Sequence, residues 1–359
     1  MSEPVTTGDL VGPPSSAGTP QGAPSGPSSP RAGEKTGLQK VMSGSVGRNL
    51  GLVVALVVLV VVGTVSAGEN FASLSNALVI LRQASIIGVI SIGMTLVIIA
   101  GGIDLSVGSV MGLASIVATL AAIQDLADQT HWFVMVLIAL AVGLAAGLIN
   151  GVVIAYGKVV AFMATLAMLV AARGLAEILA ERRTLVVEDR GFITFMNSDF
   201  IGVDILIWIF VLVAALGWVL LNRTTFGRRT VAIGGNREAA RLAGINVRRH
   251  TMWLYAIAGL TAGIAGVMIL GRTTAGSSTN GQLYELDAIA AVVVGGTLLV
   301  GGRGTITGTV FGVLIFATLT NVFVQNNLSS SVQAVAKGVI IVVAVLLQQR
   351  FARPVGRES

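Results

Sequence analysis

Between residues 50 and 348 the chain repeats one pattern: an apolar run long enough to cross a bilayer, then a short polar or glycine-rich break. Such runs lie near 50–67, 78–100, 105–123, 132–156, 160–180, 201–221, 251–270, 287–301, 305–324 and 332–348. About 20 apolar residues are needed to cover the hydrocarbon core as a helix, so 287–301 is the short one. Inside lipid every backbone polar group must find a partner within the protein, which leaves helices as the only structure for runs of this kind. The expectation is an all-α polytopic membrane protein with about ten transmembrane helices. Composition agrees: 54% of residues are hydrophobic and 11% charged, where a soluble domain carries about 25% charged residues.

Two stretches nearly repeat each other. Residues 101–112 read GGIDLSVGSVMG and residues 301–312 read GGRGTITGTVFG. Gly101 and Gly102 match Gly301 and Gly302, Gly108 matches Gly308, and Ser109 faces Thr309. Each copy follows one apolar run and opens another, so a membrane unit has been duplicated, and duplicated units of this sort mark transport proteins. Paired glycines give a turn free of side chains where backbones can approach closely. Asp104 is placed to clamp that turn and, with Ser106, to cap the helix after it. The second copy has Gly304 there, so one half alone carries the carboxylate.

Lys and Arg set the orientation. Arg31, Lys35, Lys40, Arg48, Lys158, Arg303, Arg350, Arg353, Arg357 and the Arg residues of 222–250 all fall on one side when the N-terminus is placed inside. Arg82, Arg182, Arg183, Arg190 and Arg272 fall outside among many acids. By the positive-inside rule both termini are cytoplasmic. An even number of spans then separates the Gly-Gly copies, so the repeats run in the same direction. Seven of the eight Pro lie in the first thirty residues among Ser, Gly and Thr, a mixture with too little apolar surface to offset its chain entropy. The expected organisation is a disordered cytoplasmic tail at 1–45, a transmembrane domain at 46–349 and a C-terminal tail at 350–359. The run ending Val65-Ser66-Ala67 resembles a signal-peptidase site, but the polar region before it is too long, and an uncleaved first span is expected.

Several chemistries are excluded. Without Cys there are no disulfides, thiolate metal sites or Cys nucleophiles. His131 and His250 have no neighbours suited to a metal site or triad, so no catalytic or metal residues are expected. Charges inside the runs are few: Arg173 and Glu177, four apart and able to pair, and Lys337, near enough to an end to snorkel. No chain of acids and His of the kind used by proton-coupled carriers is present. Nor is there a Gly-x4-Gly-Lys-Ser/Thr phosphate loop, so ATP and Mg would have to be bound by another subunit.

The most polar inner loop, 222–250, carries seven Arg and one acid, Glu238. Arg237–Ala243 are good helix formers and Gly244 suits a left-handed stop. A short helix is expected there, with Leu242 and Ala243 forming a small apolar face and Ala240 on the side presented to a partner.

Residues Gly93–Ser109, GMTLVIIAGGIDLSVGS, resemble the signature of permeases in bacterial monosaccharide ABC importers, the ribose and xylose group. Glu238-Ala239-Ala240-x3-Gly244 is similar to the coupling helix by which importer permeases dock on their ATPases. The resemblance runs from about residue 45 to 350. It implies a type II ABC importer permease fold in a bacterial cell membrane, with a second permease copy, ATP-binding cassettes and an extracytoplasmic sugar-binding protein as partners. Membrane lipid surrounds it, and no nucleic-acid partner is implied. The implied function is import of a monosaccharide, ribose or a related pentose. Gly101, Gly102, Asp104, Ser106, Gly108, Ser109, Gly301 and Gly302 form its signature loops and a possible pathway.

A neutral polyol would be held by hydroxyls and amides, and Ser106, Ser109, Ser115, Thr119, Asn150, Thr305, Thr307, Thr309, Thr318 and Asn321 are available. In membrane helices such groups more often bond their own backbone or a neighbouring helix. Glycine stripes at Gly143, Gly147 and Gly151 and at Gly259 and Gly263 suit close helix packing. The reading that stands against the importer is a secondary carrier working alone on an ion gradient.

Overall fold

The computed structural model describes residues 45–352. The tail expected at 1–45 lies outside the described residues except for its last residue, and so does most of the C-terminal one, whose residues 350–352 continue the final helix.

Every apolar run contains a helix. In chain order these are α1 (Ser45–Ala67), α2 (Leu74–Ile99), α3 (Val107–Ala118), α4 (Ala121–Gln129), α5 (Phe133–Ala155), α6 (Ala161–Leu179), α7 (Arg190–Met196), α8 (Ile205–Arg223), α9 (Thr225–Gly235), α10 (Arg237–Leu242), α11 (Val247–Thr273), α12 (Tyr284–Val294), α13 (Ile306–Gln325) and α14 (Ser330–Ala352). Among the described residues seven helices are long and apolar enough to cross a membrane, eight if the bent pair α3–α4 counts as one span. The expected count of ten is not confirmed among them.

Two runs account for part of the difference. The run at 105–123 is two helices meeting at 56°. The Thr119 hydroxyl bonds back to the Ser115 and Ile116 carbonyls, a local competition that bends helices. Gln124 bonds the Thr119 and Val186 carbonyls and accepts from the Glu188 amide, which ties α4 to the loop after α6. The run at 287–301 yields only the 11 residues of α12, about 16 Å of helix. Gly295 and Gly296, the latter at φ +89°, stop it.

The core is built around α11, most of which is buried. Hydrophobic burial does not hold helices together inside lipid, so close backbone approach has to. The glycine stripes supply it as expected. A methyl group on Gly143 would collide with the Gly259 carbonyl, and one on Gly147 with the Tyr255 carbonyl. One on Gly151 would stand 2.6 Å from the Met252 oxygen and one on Gly263 2.7 Å from that of Ala139. The α5–α11 pair therefore joins the two halves of the chain without side chains between them.

Polar pairs fix the other helices. Asn76 on α2 and Asn321 on α13 exchange two hydrogen bonds of 3.1 and 2.9 Å, and Gln325 donates to Asn76 as well. The hydroxyls of Thr95 and Thr309 lie 2.7 Å apart on the same two helices. At the end of the bundle where α2 begins, Arg82 pairs with Asp204 at 2.9 Å. Small two-residue strands, β1 (Leu185–Val186) with β4 (Ala275–Gly276) and β2 (Asp199–Phe200) with β3 (Val203–Asp204), tidy the loops there, all antiparallel. Lys337 does not snorkel: it pairs with Asp287 on α12 at 3.0 Å, both side chains largely covered.

Candidate functional site

The polar loop folds into α9 and α10, which lie between the spans α8 and α11. Thr224 caps α9 by accepting from the Gly227 amide. Gly227, Thr230 and Ile233 recur at three-residue spacing on its buried face. The Thr230 hydroxyl meets His250 Nε2 at 2.9 Å, so the loop His is a packing group between α9 and α11.

Helix α10 is six residues long and shaped by its ends. The Asn236 side chain accepts from the Ala239 amide at 2.9 Å. Glu238 in the first turn and Arg241 in the last complement the helix dipole. They also pair on the exposed surface, and that hydrogen bond holds the Glu238 carboxyl below its usual range. The helix stops at Gly244, at φ +83°. The Gly244 amide bonds the Arg241 carbonyl at 3.0 Å and that of Ile245 the Ala240 carbonyl at 3.1 Å, the paired bonds of a Schellman cap. The expected stop is therefore found at its expected residue.

Three faces result. Glu238, Ala239, Leu242 and Ala243 are exposed, Leu242 by 75%. Ala240 is not on that side. It is 4% exposed and packs with Ile233 and Val247, because the Schellman cap turns Ile245 back against it. The expectation that Ala240 faces a partner is thus corrected: it is the seat of α10 on the membrane domain. Arg237 and Arg241, one turn apart, line a cavity toward the ends of the spans.

The first signature turn uses the same capping device. Gly101, at φ +80°, ends α2, its amide bonding Ile98 and that of Gly102 bonding Val97. Asp104 is buried and its Oδ1 accepts from the Ser106 amide at 2.9 Å and the Ser106 hydroxyl at 2.6 Å. Asn150 of α5 donates to that hydroxyl at 2.9 Å. The carboxylate therefore clamps the entry to α3, and Ser106, its N-cap residue, is held from two sides.

The two Gly-Gly turns meet. The Gly302 amide donates to the Ile99 carbonyl, the last residue of α2, at 2.8 Å. A methyl on Gly301, at φ +87°, would stand 3.0 Å from Gly101 Cα and from the Gly234 oxygen. A methyl on Gly234 would collide with the Ile99 carbonyl, and one on Gly302 would stand 3.1 Å from Gly235 Cα. Five glycines from three segments thus close on the end of α2, one residue from the start of α10. Both turns lie at one end of the bundle, as repeats of equal direction require. Their flanking helices differ: α2 has 26 residues and α3 12, whereas α12 has 11 and α13 20.

Several other sequence-named groups are packing partners. Ser109, Ser115 and Thr309 bond backbone carbonyls of their own helices, and Gly108 gives room to the Glu285 carboxyl group. Arg173 does not form the expected ion pair with Glu177. Its guanidinium donates to the Ser278 carbonyl and, at 2.9 Å, to that of Asn280, while Glu177 meets Arg182 at 3.6 Å. The loop after β4 folds over the Gly108 and Gly112 face of α3 and brings those carbonyls to it. Gly234, Gly235 and Tyr255, whose hydroxyl reaches the Ile103 carbonyl at 3.4 Å, were not singled out from sequence in this role. A third Gly-Gly pair just ahead of the short helix was the available signal.

A duplicated, all-helical bundle whose twin turns abut an exposed short helix describes a membrane transport subunit, and comparison bears this out. Residues 76–346 match the family described as the permease component of branched-chain amino acid transport systems, and the chain belongs to it. It is 39% identical to the ribose import permease protein RbsC of Bacillus subtilis over 88% of this chain and 97% of that protein. Against RbsC of Haemophilus influenzae the identity is 38%, over 82% and 90%. Against the L-arabinose transport system permease protein AraH of Escherichia coli it is 36%, over 85% and 92%. No solved structure matches the chain.

Proposed function

We propose that this chain is the membrane permease subunit of an ATP-driven importer for a monosaccharide, ribose or a related pentose. The relatives named as sugar permeases cover nearly their whole length and support that substrate class. ATP and Mg are bound by separate cassette subunits. A second permease copy and an extracytoplasmic sugar-binding protein complete the machine, in a bacterial cell membrane with both termini in the cytoplasm.

The observation that carries the mechanism is the short route from α10 to the signature turns. The exposed face of α10, with Ala239 and Leu242, docks on the cassette. Closure of the cassettes on ATP displaces α10, whose seat at Ala240 passes the motion to α9 and α11. At the end of α9, Gly234 bears on Ile99 and the Gly302 amide, so the push arrives where both repeats meet. Contacts made by backbone alone have no rotamers to absorb a displacement, and the ends of α2 and α13 move together. Access to the pathway alternates as these helices tilt.

Cassette retention tests this reading. Leu242→Glu and Ala239→Arg should leave the purified permease folded but strip the cassette from it, because both residues are exposed. Retention by both variants at the wild-type level would remove α10 as the docking element.

A further inference from the structure

A cavity of about 610 Å³ lies between α10 and the adjoining ends of α2, α5, α6 and α11. Lys158, Arg237, Arg241 and Arg248 line it, with Glu238 as the one acid. Glu238 is already bonded by Arg241. Among the described residues Lys158, Arg237 and Arg248 form no ion pair. Three cations facing one cavity whose single acid is already paired repel each other, and an anion between them relieves that.

The rest of the wall selects the kind of anion. Val159 and Val160 line the cavity and are 40% and 68% exposed. They belong to the α5–α6 connection, next to lipid-length helices with exposed Val152, Val153, Phe162 and Met163. Half-exposed Tyr156 stands in the same connection, at the depth where aromatic residues mark the headgroup layer. A soluble phosphate makes no use of an apolar wall, whereas an amphiphile does. The glycine turn in the cavity is not a phosphate nest, since the Gly101 and Gly102 amides are spent on Ile98 and Val97. Recognition falls to the side-chain cations.

We propose that this cavity binds the phosphate headgroup of an anionic phospholipid from the leaflet on the α10 side. The lipid would lie against Val159 and Val160 with its phosphate among Lys158, Arg237 and Arg248, bracing α10 from beneath while its outer face stays free. This goes beyond the transport reading and does not depend on it.

The chain has no Cys, so Val160→Cys gives a single site for a fluorophore. The labelled full chain is placed in phosphatidylcholine bilayers and titrated with brominated phosphatidylglycerol or brominated phosphatidylcholine. Quenching should favour phosphatidylglycerol, by about fivefold for each cation engaged. Added salt should shrink the preference. Lys158→Gln with Arg248→Gln should remove most of it, whereas Lys158→Arg and, outside the cavity, Arg228→Gln should keep it. A thermal melt of each variant confirms that the fold is retained. Equal quenching by the two lipids, or an undiminished preference in the folded double variant, overturns the proposal. So does protection of the labelling site by inorganic phosphate in a bilayer showing no lipid preference, which identifies a soluble anion.

Discussion

The Gly302 amide donates to the Ile99 carbonyl at 2.8 Å, so the two halves of a duplicated chain are hydrogen-bonded to each other at their twin turns. Gly234, at the end of α9, closes over the same carbonyl. The segment that would receive a cassette's motion and the turns that organise the helices are therefore one contact apart.

That contact distinguishes two adjacent glycines. Gly234→Ala puts a methyl into the Ile99 carbonyl, whereas a methyl on Gly235 meets nothing within 4 Å. Gly234→Ala should lower thermal stability in detergent by roughly 1–3 kcal/mol and depress uptake more than that loss of fold explains. Gly235→Ala should be neutral or slightly stabilising. Equal melting curves for the two variants would contradict the junction.

Asp104 offers a test of clamp against charge. Asn in its place keeps an oxygen able to accept from the Ser106 amide and hydroxyl, while Ala does not. Asp104→Asn should fold and transport nearly as wild type, and Asp104→Ala should lose about 1–3 kcal/mol. Loss of transport by a well-folded Asp104→Asn variant would instead assign the negative charge a part in the cycle.

The buried pair Asn76–Asn321 should behave as a coupled unit. Asn76→Leu leaves the Asn321 and Gln325 amides without their shared acceptor, and about 1–2 kcal/mol of stability should go with it. Adding Asn321→Leu should restore part of the loss. A double-mutant cycle by thermal melting checks it, additivity being the contrary result.

Much of this was legible in the sequence because each signal was local. Gly244 ends α10 where Arg237–Ala243 stop being helix formers, and the glycine stripes of α5 and α11 do meet. What stayed hidden depends on distant residues. Gly101 and Gly301 carry no side chain whose partner could be guessed, so the repeat was visible but its self-contact was not. Arg173 was matched to Glu177 by helical spacing, yet its partners are carbonyls at 278 and 280 that come from a loop folding over α3. Ala240 sits in an exposed-looking basic stretch and turns inward because the cap at Gly244 returns Ile245 to it. The break at Thr119 is held by Gln124, whose other partners, Val186 and Glu188, lie more than sixty residues away in sequence.

Orientation is open to a direct check. Cysteine placed singly at Leu242 should react only from the cytoplasmic side and at Ile201 only from outside, both positions being highly exposed. Reaction of position 242 from outside would invert the assignment and detach α10 from any cytoplasmic cassette.

The central claim is that this chain moves sugar only when ATP is spent on the α10 side by another subunit. Uptake of radiolabelled ribose into vesicles measures it, with the permease reconstituted alone, with its cassette, and with cassette and sugar-binding protein together. Uptake should require all three and ATP, should ignore imposed proton or sodium gradients, and should fail with Leu242→Glu. Gradient-driven ribose uptake by the permease alone, without ATP, would contradict the account and make the chain a secondary carrier.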